Sequence, residues 1–507
     1  MGALAQLGDN LAVGFGAALA PVNLLLGIVG VTLGTAVGVL PGVGPALAIS
    51  MLLPLTFGID PVGAFILFGG LYYGAMYGGS TTSILVKMPG EASSVMTALD
   101  GFRMTCKGRG GAALATAAIG SFIAGTFATL MLMTLAPVLV EVALTFGPAE
   151  YFALMVFALT ALAGLSQGSL ARGLAAALIG LAIGTIGIDV QTGQARFTFG
   201  MAGLLGGVNV VVVTVGLFAV GEVFWYAATR AGRAGSGSAD TRQSVGGPVR
   251  LTRAEWRRSW PAWTRGTVIG FFCGVLPGAG ATVASFLAYD AERRASKTPD
   301  EFGDGAIEGV AGPEAANNAS AGGSLVPLLA LGIPGSGTTA VMLAAFQMYG
   351  LQPGPLLFTQ DATLVWGLIA SLYVSNTLLL VLNLPLIRIW VQLLRVPAPL
   401  LFAAVLAFAT LGVYSLNNNI FDVGVVYVLG LLACVMRRYE VPLAPTVLAV
   451  VLGPLLEQEF RRAMAIAGGD PTVFVTRPLS AALLALAVLA AAAPVLARWR
   501  AVRRLRP

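Results

Sequence analysis

The segment "GVLPGVG" at residues 38–44 returns as "GVLPGAG" at 274–280. Further on, "YGGSTTSILVKMPGEASS" at 77–94 returns as "AGGSLVPLLALGIPGSGTT" at 321–339. Two blocks in the same order, at offsets that grow only from 236 to 245 residues, mark an internal duplication. Proline removes a backbone donor and clashes with the preceding helical turn, and glycine loosens what remains. The chain therefore interrupts its helices at four matched points: Pro41-Gly42, Pro89-Gly90, Pro277-Gly278 and Pro334-Gly335.

The solvent around those breaks follows from composition. Of 507 residues, 57% are hydrophobic and 10% charged, whereas an ordinary soluble domain carries about 25% charge. Apolar runs of roughly 17–25 residues recur along the chain, the span needed to cross about 30 Å of hydrocarbon. The expected fold class is all-α: a polytopic membrane protein with two repeats, each starting with a re-entrant helical hairpin (22–57 and 264–290) and containing broken helices.

Loop charge gives the repeats their orientation. The loop "LTFGIDPVG" (55–63) has no Lys or Arg, whereas its counterpart holds Arg293, Arg294 and Lys297. After the second motif the pattern reverses, with "DGFRMTCKGRG" (100–110) basic and "MYGLQPGPLLFTQD" (348–361) free of basic residues. Corresponding loops prefer opposite sides, so the two repeats are expected to have inverted topology. The implied organisation is an N-terminal interfacial segment (1–21), repeat 1 (22–229), a basic cytoplasmic linker (230–263) and repeat 2 (264–457). A periplasmic loop, a final transmembrane helix and a basic cytoplasmic tail (458–507) complete it. The linker's "AGSGSADT" is expected to be flexible. The loop "EQEFRR" at 457–462 falls outside by this count despite Arg461 and Arg462, and is expected to have a structural or receptor-contacting role, or to betray a miscounted span.

The formal net charge of +6 does not point to nucleic acid, because the basic residues lie in a few loops beside apolar spans. Cys106, Cys273 and Cys434 are far apart and suggest neither disulfide nor zinc site. The chain has no histidine and no Walker A motif, and no pair of acids within apolar spans that would make an aspartyl dyad. An enzyme is not expected.

In lipid, backbone groups freed by a break cost several kcal/mol each unless protein or a watery cavity satisfies them. Secondary transporters use such breaks: half-helix N-termini attract anions, and unwound carbonyls hold cations. The candidate substrate-binding residues are therefore Pro41, Gly42, Gly44, Gly79, Ser80, Thr81, Thr82, Pro277, Gly278, Gly280, Gly335, Ser336, Thr338 and Thr339. Asn317 and Asn318 join them as neutral donors and acceptors. Kinking and i−4 carbonyl bonding are the simpler reading of any one of these residues. Lys87 can attract an anionic substrate or snorkel to the membrane edge. Glu91, Asp100, Glu308 and Glu314 are conceivable cation ligands, although solvation in loops is the simpler reading.

The same blocks, above all "EGVAGPEAANNASAGG", resemble the large permease subunit of tripartite tricarboxylate transporters across most of the chain. The resemblance implies a multi-pass permease of the bacterial inner membrane, importing tri- or dicarboxylates such as citrate on a Na⁺ or H⁺ gradient. It implies a small membrane subunit and a periplasmic solute-binding protein as partners, with a homo-oligomer a further candidate. It implies no cofactor beyond the coupling Na⁺ or H⁺, with candidate Na⁺ positions near Gly42, Ser83, Gly278 and Asn318. Lys87 departs from the neutral residue, often Asn, expected before the Pro-Gly break. A passive anion channel or pore is the alternative, since paired Gly-rich re-entrant segments also occur in channels.

Overall fold

The computed structural model describes residues 2–40, 43–165, 169–189, 191–230, 247–386, 389–390, 392 and 396–504. Pro41 and Gly42, and residues 231–246 with the "AGSGSADT" stretch, lie outside the described residues. Among the described residues the fold is all-α apart from a two-residue antiparallel pair, Gly187–Ile188 with Ala195–Arg196. Helices α1 (Gly2–Ala18), α2 (Pro21–Val39), α3 (Pro45–Leu52), α4 (Pro61–Val86), α5 (Val95–Cys106) and α6 (Gly110–Ala143) come first. They are followed by α7 (Pro148–Leu165), α8 (Leu170–Gly184) and α9, a continuous run of Val210–Thr214, π-helical Val215–Val220 and Gly221–Arg230. The second half comprises α10 (Arg253–Val275), α11 (Gly280–Ala295), α12 (Glu308–Leu331), α13 (Gly337–Met348) and α14 (Ala362–Asn383). Then come α15 (Ala398–Asn417), α16 (Ile420–Arg438), α17 (Ala444–Ile466) and α18 (Pro478–Arg504). Six helical stretches among the described residues are long and apolar enough to cross a membrane: 21–39, 110–143, 210–229, 362–383, 399–417 and 420–438.

Three Pro-Gly points, at 89–90, 277–278 and 334–335, separate helices among the described residues, and α2 ends before 41–42 while α3 starts after it. Between α4 and α5, α10 and α11, and α12 and α13 the regular hydrogen bonding stops. Local chemistry fixes several of these ends. Asp60 caps α4, its carboxylate accepting from the Val62 amide at 3.1 Å, with Pro61 at the first helical position. Ser336 and Thr339 form a reciprocal capping box that starts α13. Two left-handed residues, Lys87 (φ 58°) and Gly332 (φ 71°), end α4 and α12. They stand 245 residues apart, the offset of the second motif.

The duplication reappears as packing. Along α2, Gly30, Gly34 and Gly38 press against the carbonyls of Leu67, Leu71 and Ala75 on α4. Along α10, Gly266, Gly270 and Gly274 press against those of Gly312, Ala316 and Ser320 on α12. A β-carbon on any of the six would stand only 2.2–2.4 Å from the opposing oxygen. Small residues at helical spacing let backbones approach this closely, which is how helices associate where lipid offers no hydrophobic drive. At the breaks the pattern holds as well: Gly90 abuts the Gly38 carbonyl, and Gly335 that of Gly274.

The halves interlock through α6 and α14. On α6, Ser121 accepts from Asn318 Nδ2 at 2.6 Å, and the Thr116 carbonyl accepts from Trp263 Nε1 at 3.1 Å. On α14, Asn376 accepts from Tyr77 OH at 2.8 Å and donates to the Phe122 carbonyl and Thr126 hydroxyl. Thus α4 and α12 form the buried centre, and nearly every residue from 63 to 85 and from 308 to 330 is buried.

Several sequence expectations change in detail. The stretch 1–21 does not lie alone: α1 packs on α14, with Gly14 against the Trp366 carbonyl and Phe15 stacked on Tyr373. Helix α10 begins at Arg253, within the stretch expected to be linker, because Thr252 and Glu255 form a capping box there. The stretch carrying Arg293, Arg294 and Lys297 is clasped by the first half further along, where Asp100 accepts from the amides of Gly303, Gly305 and Ala306 at 2.8–2.9 Å. The "EQEFRR" segment is helical within α17 and is held by ion pairs. Glu457 accepts from Arg196 at 2.9 Å and also pairs with Arg461, which reaches Asp189 at 3.1 Å.

Two outcomes follow from these contacts. Gly270→Leu lowers the thermal midpoint by roughly 5 °C or more, because overpacking a close helix crossing strains both backbones. Gly16→Leu, where a β-carbon meets nothing within 4 Å, leaves the midpoint nearly unchanged. The Gln191 amide, then the Thr192 hydroxyl and Arg461, hold the Asp189 carboxyl down to about 2. A carboxyl lowered on folding stabilises fully above its unfolded value of about 3.9 and loses that as pH falls through the folded one. Protection of the Gln191 amide against hydrogen exchange, corrected for intrinsic rate, should hold from pH 7 to about pH 4 and fade near pH 2.

Candidate functional site

The breaks converge. A cavity of about 530 Å³ is lined by Tyr72 and Met76 from the middle of α4, by Glu91–Ser93 from the first half's second break, and by Ala46 on α3. From the second half come Gly278–Val283, at the α10–α11 break, and Ser336–Thr338, at the α12–α13 break. Leu162, Arg437 and Glu440 close the remaining walls. A second cavity of about 520 Å³ is lined by Leu331–Ile333, just before that last break, and by the 350–356 loop. Its walls are mainly Leu, Pro and Gly. The first cavity is where residues from the breaks of both halves and two helix starts come together, and is the candidate site.

Its geometry rests on short bridges between elements. The Gly278 amide donates to the Gly335 carbonyl at 3.1 Å, tying the second half's two breaks together. Tyr72 OH is hydrogen-bonded to Ser324 Oγ at 3.1 Å and Ser336 Oγ at 3.2 Å, joining α4 to α12 and α13. Gly278 has φ +86°, and a β-carbon there would come within 2.4 Å of the Leu162 Cα. Only glycine fits that turn against α7.

The cavity's electrostatics come from three sources. The first residues of α11 (Gly280, Ala281 and Thr282) and of α13 (Gly337 and Thr338) belong to its wall. The positive ends of both helix dipoles therefore lie at its wall. Arg437 adds a guanidinium, shared in an ion pair with Glu222. Two carboxylates oppose them. Glu440 is paired with Arg172, and Glu91 Oε1 accepts from Ser93 at 2.6 Å and from Asn317 Nδ2 at 3.4 Å.

The structure distributes the sequence candidates unevenly. Gly278, Gly280, Ser336 and Thr338 line the cavity, and Pro277 is buried beside it. Gly335 and Thr339 act from behind, the first by its carbonyl and the second by capping α13. Gly44 caps α3 with open space where its β-carbon would be. Ser80, Thr82 and Ser83 bond back to carbonyls of their own helix at 2.7, 3.3 and 3.0 Å. Gly79 and Thr81 are buried in the same stretch of α4, with the Glu91 side chain beside Gly79. Asn317 and Asn318 lie buried in α12, the first touching Glu91 and the second Ser121. Lys87 is exposed, with its ammonium 5.9 Å from the Phe102 ring centroid. Its left-handed backbone explains the expected Asn, which adopts that conformation with less strain.

Sequence reasoning missed Tyr72, Ser93 and Arg437. A tyrosine in the wholly apolar run "LFGGLYYGAMY" carries a signal, since a buried phenol needs a partner. Arg437 carries none, because "MRRY" after an apolar span reads as an ordinary loop flank.

A family model described as the tripartite tricarboxylate transporter TctA family matches residues 24–448. The chain is 50% identical over 480 residues, 94% of each chain, to a protein of Agrobacterium vitis described as "Uncharacterized 52.8 kDa protein in TAR-I ttuC' 3'region". It is 52% identical over 220 residues to "Uncharacterized protein in TAR-II ttuC' 3'region" of Agrobacterium vitis, 43% of this chain and 91% of the other. No solved structure matches. With the match running from α2 into α17, through every break that lines the cavity, the chain belongs to the tripartite tricarboxylate transporter TctA family.

Proposed function

We propose that this permease imports carboxylate solutes, tri- or dicarboxylates such as citrate, on a Na⁺ or H⁺ gradient, with the solute held in the 530 Å³ cavity. One observation carries the reading: two helix N-termini and one guanidinium open on a single cavity at the meeting point of both halves' breaks. Carboxylates are acceptors only and bind where bare amides and positive dipole ends converge. The small volume suits a solute with a few carboxyl groups rather than a peptide or lipid.

In the same reading the two repeats are inverted across the membrane, as their mirrored loop charges suggest, and the cavity opens alternately to either side. The α12–α13 break borders both cavities, Leu331–Ile333 on one and Ser336–Thr338 on the other, and so is the natural partition between them. The C-terminus lies in the cytoplasm of a bacterial inner-membrane location. A periplasmic solute-binding protein delivers the solute, and a small membrane subunit accompanies the permease.

The test is uptake of labelled di- and tricarboxylates by proteoliposomes containing the permease, the small subunit and the cognate binding protein. Accumulation that survives collapse of both Na⁺ and H⁺ gradients rules the reading out. Arg437→Gln raises the KM for the carried solute about tenfold, equivalent to about 1.4 kcal/mol of lost binding. Gly278→Ala lowers uptake by about tenfold or more, because a side chain at positive φ forces α7 away from the turn.

A further inference from the structure

Six acids are buried among the described residues, and five have a partner that compensates their charge. Arg265 pairs with Glu292 at 2.6 Å, Arg258 with Glu308 at 2.7 Å, Arg477 with Glu150 at 2.5 Å and Arg461 with Asp189 at 3.1 Å. Asp100 takes three backbone amides and the Tyr289 hydroxyl. Glu314 is the exception. It is fully buried on α12, it lacks an ion pair, and its Oε1 accepts from Thr97 Oγ1 at 2.5 Å, with the Asn317 side chain beside it.

Its other oxygen, Oε2, is buried without a hydrogen-bond partner, and so is Asn317 Oδ1 one turn further along α12. Residues three apart on a helix share a face. On the far side of Asn317, its Nδ2 donates to Glu91 Oε1, and Glu91 lines the cavity. Polar side chains thus lead from the cavity wall at Glu91 through the Asn317 amide to Glu314 on the same helix face, and two acceptors, Asn317 Oδ1 and Glu314 Oε2, have nothing to accept. A water molecule could bond both but would leave a bare carboxylate charge in an apolar interior. Such a charge persists only when a positive charge, or several donors as at Asp100, accompanies it.

We propose that Glu314, Asn317 and Glu91 form the site of the coupling ion, a single monovalent positive charge, either H⁺ or Na⁺. The inference rests on the carboxylate-import reading and deepens it. As H⁺, it resides on Glu314 Oε2 and donates to Asn317 Oδ1, satisfying both orphaned atoms at once. As Na⁺, it takes those two oxygens together with a Glu91 oxygen, all hard ligands suited to it. Either occupant also lowers the negative potential at Glu91, and so makes the adjoining cavity more hospitable to an anion. Cation and solute then favour each other's binding, and that reciprocity couples their fluxes.

The titratable and charged groups facing this row are few. Asp100 on α5 is committed to the 303–306 amides, Glu308 on α12 to Arg258, and Glu292 on α11 to Arg265. Tyr77 and Tyr72 on α4 donate to or share bonds with Asn376, Ser324 and Ser336, while Lys87 is exposed over Phe102. From α6 the neighbour is the neutral Ser121.

Binding can be read without any carboxylate, on the purified full-length permease. In the H⁺ arm, infrared titration is expected to show a protonated-carboxyl band that disappears in Glu314→Gln. In the Na⁺ arm, Na⁺ against choline is expected to raise the thermal midpoint, with the apparent affinity at least tenfold weaker in Glu314→Gln. Asn317→Ala keeps the carboxyl, and should shift the band or weaken Na⁺ at least tenfold if the Gln variant does not fold. A wild type with neither response, or variants that respond like it, overturns the site. Gradient-driven accumulation by Glu314→Gln at the wild-type level overturns the site while leaving carboxylate import standing. A Glu314-dependent cation response in a permease that moves no carboxylate does the reverse.

Discussion

The fold depends on backbone meeting backbone. In both halves a helix lies so close to its neighbour that a carbonyl occupies the space where a β-carbon would be, three times in succession. Among apolar side chains and lipid no hydrophobic drive brings helices together, so close van der Waals contact must do it. The same closeness accommodates the interruptions. Gly90 and Gly335 sit on the carbonyls at the ends of those helices, and the Gly278 amide finds the Gly335 oxygen. Backbone groups released by proline are in this way compensated inside protein rather than left to hydrocarbon.

From that arrangement the cavity follows. Two tightly packed helix pairs hold the break residues at fixed positions, and α6 and α14 cross over to brace the opposite half. The helix starts of α11 and α13 are thereby aimed at one volume, with Arg437 arriving from α16. Family membership makes the chain a transporter subunit. The polar lining is sparse, as in sites where a few placed groups orient the ligand and apolar walls exclude water.

Much of the architecture was legible in the sequence because proline and glycine act locally. A Pro-Gly pair in an apolar run interrupts a helix whatever surrounds it, so all four interruptions could be read from composition and spacing. The glycine stripe was equally present in the letters, as Gly30, Gly34 and Gly38 and their counterparts 236 residues later. What each polar side chain touches was less legible, since tertiary neighbours decide it. Ser80 and Ser83 turn back to their own helix, whereas Ser336, of the same chemistry, reaches Tyr72 and the cavity. Asp100 reads as a solvated loop acid but is enclosed by amides arriving from more than 200 residues away. Glu314 reads as a loop acid too, and only its surroundings reveal that it lacks a counter-charge.

The crossing of α6 onto α12 has a consequence for how the chain is made. During synthesis α6 enters the bilayer while α10 and α12 have yet to be translated, so Thr116 and Ser121 must wait for Trp263 and Asn318. Neither half is then a finished body by itself, and maturation is a late joining of two incomplete bundles.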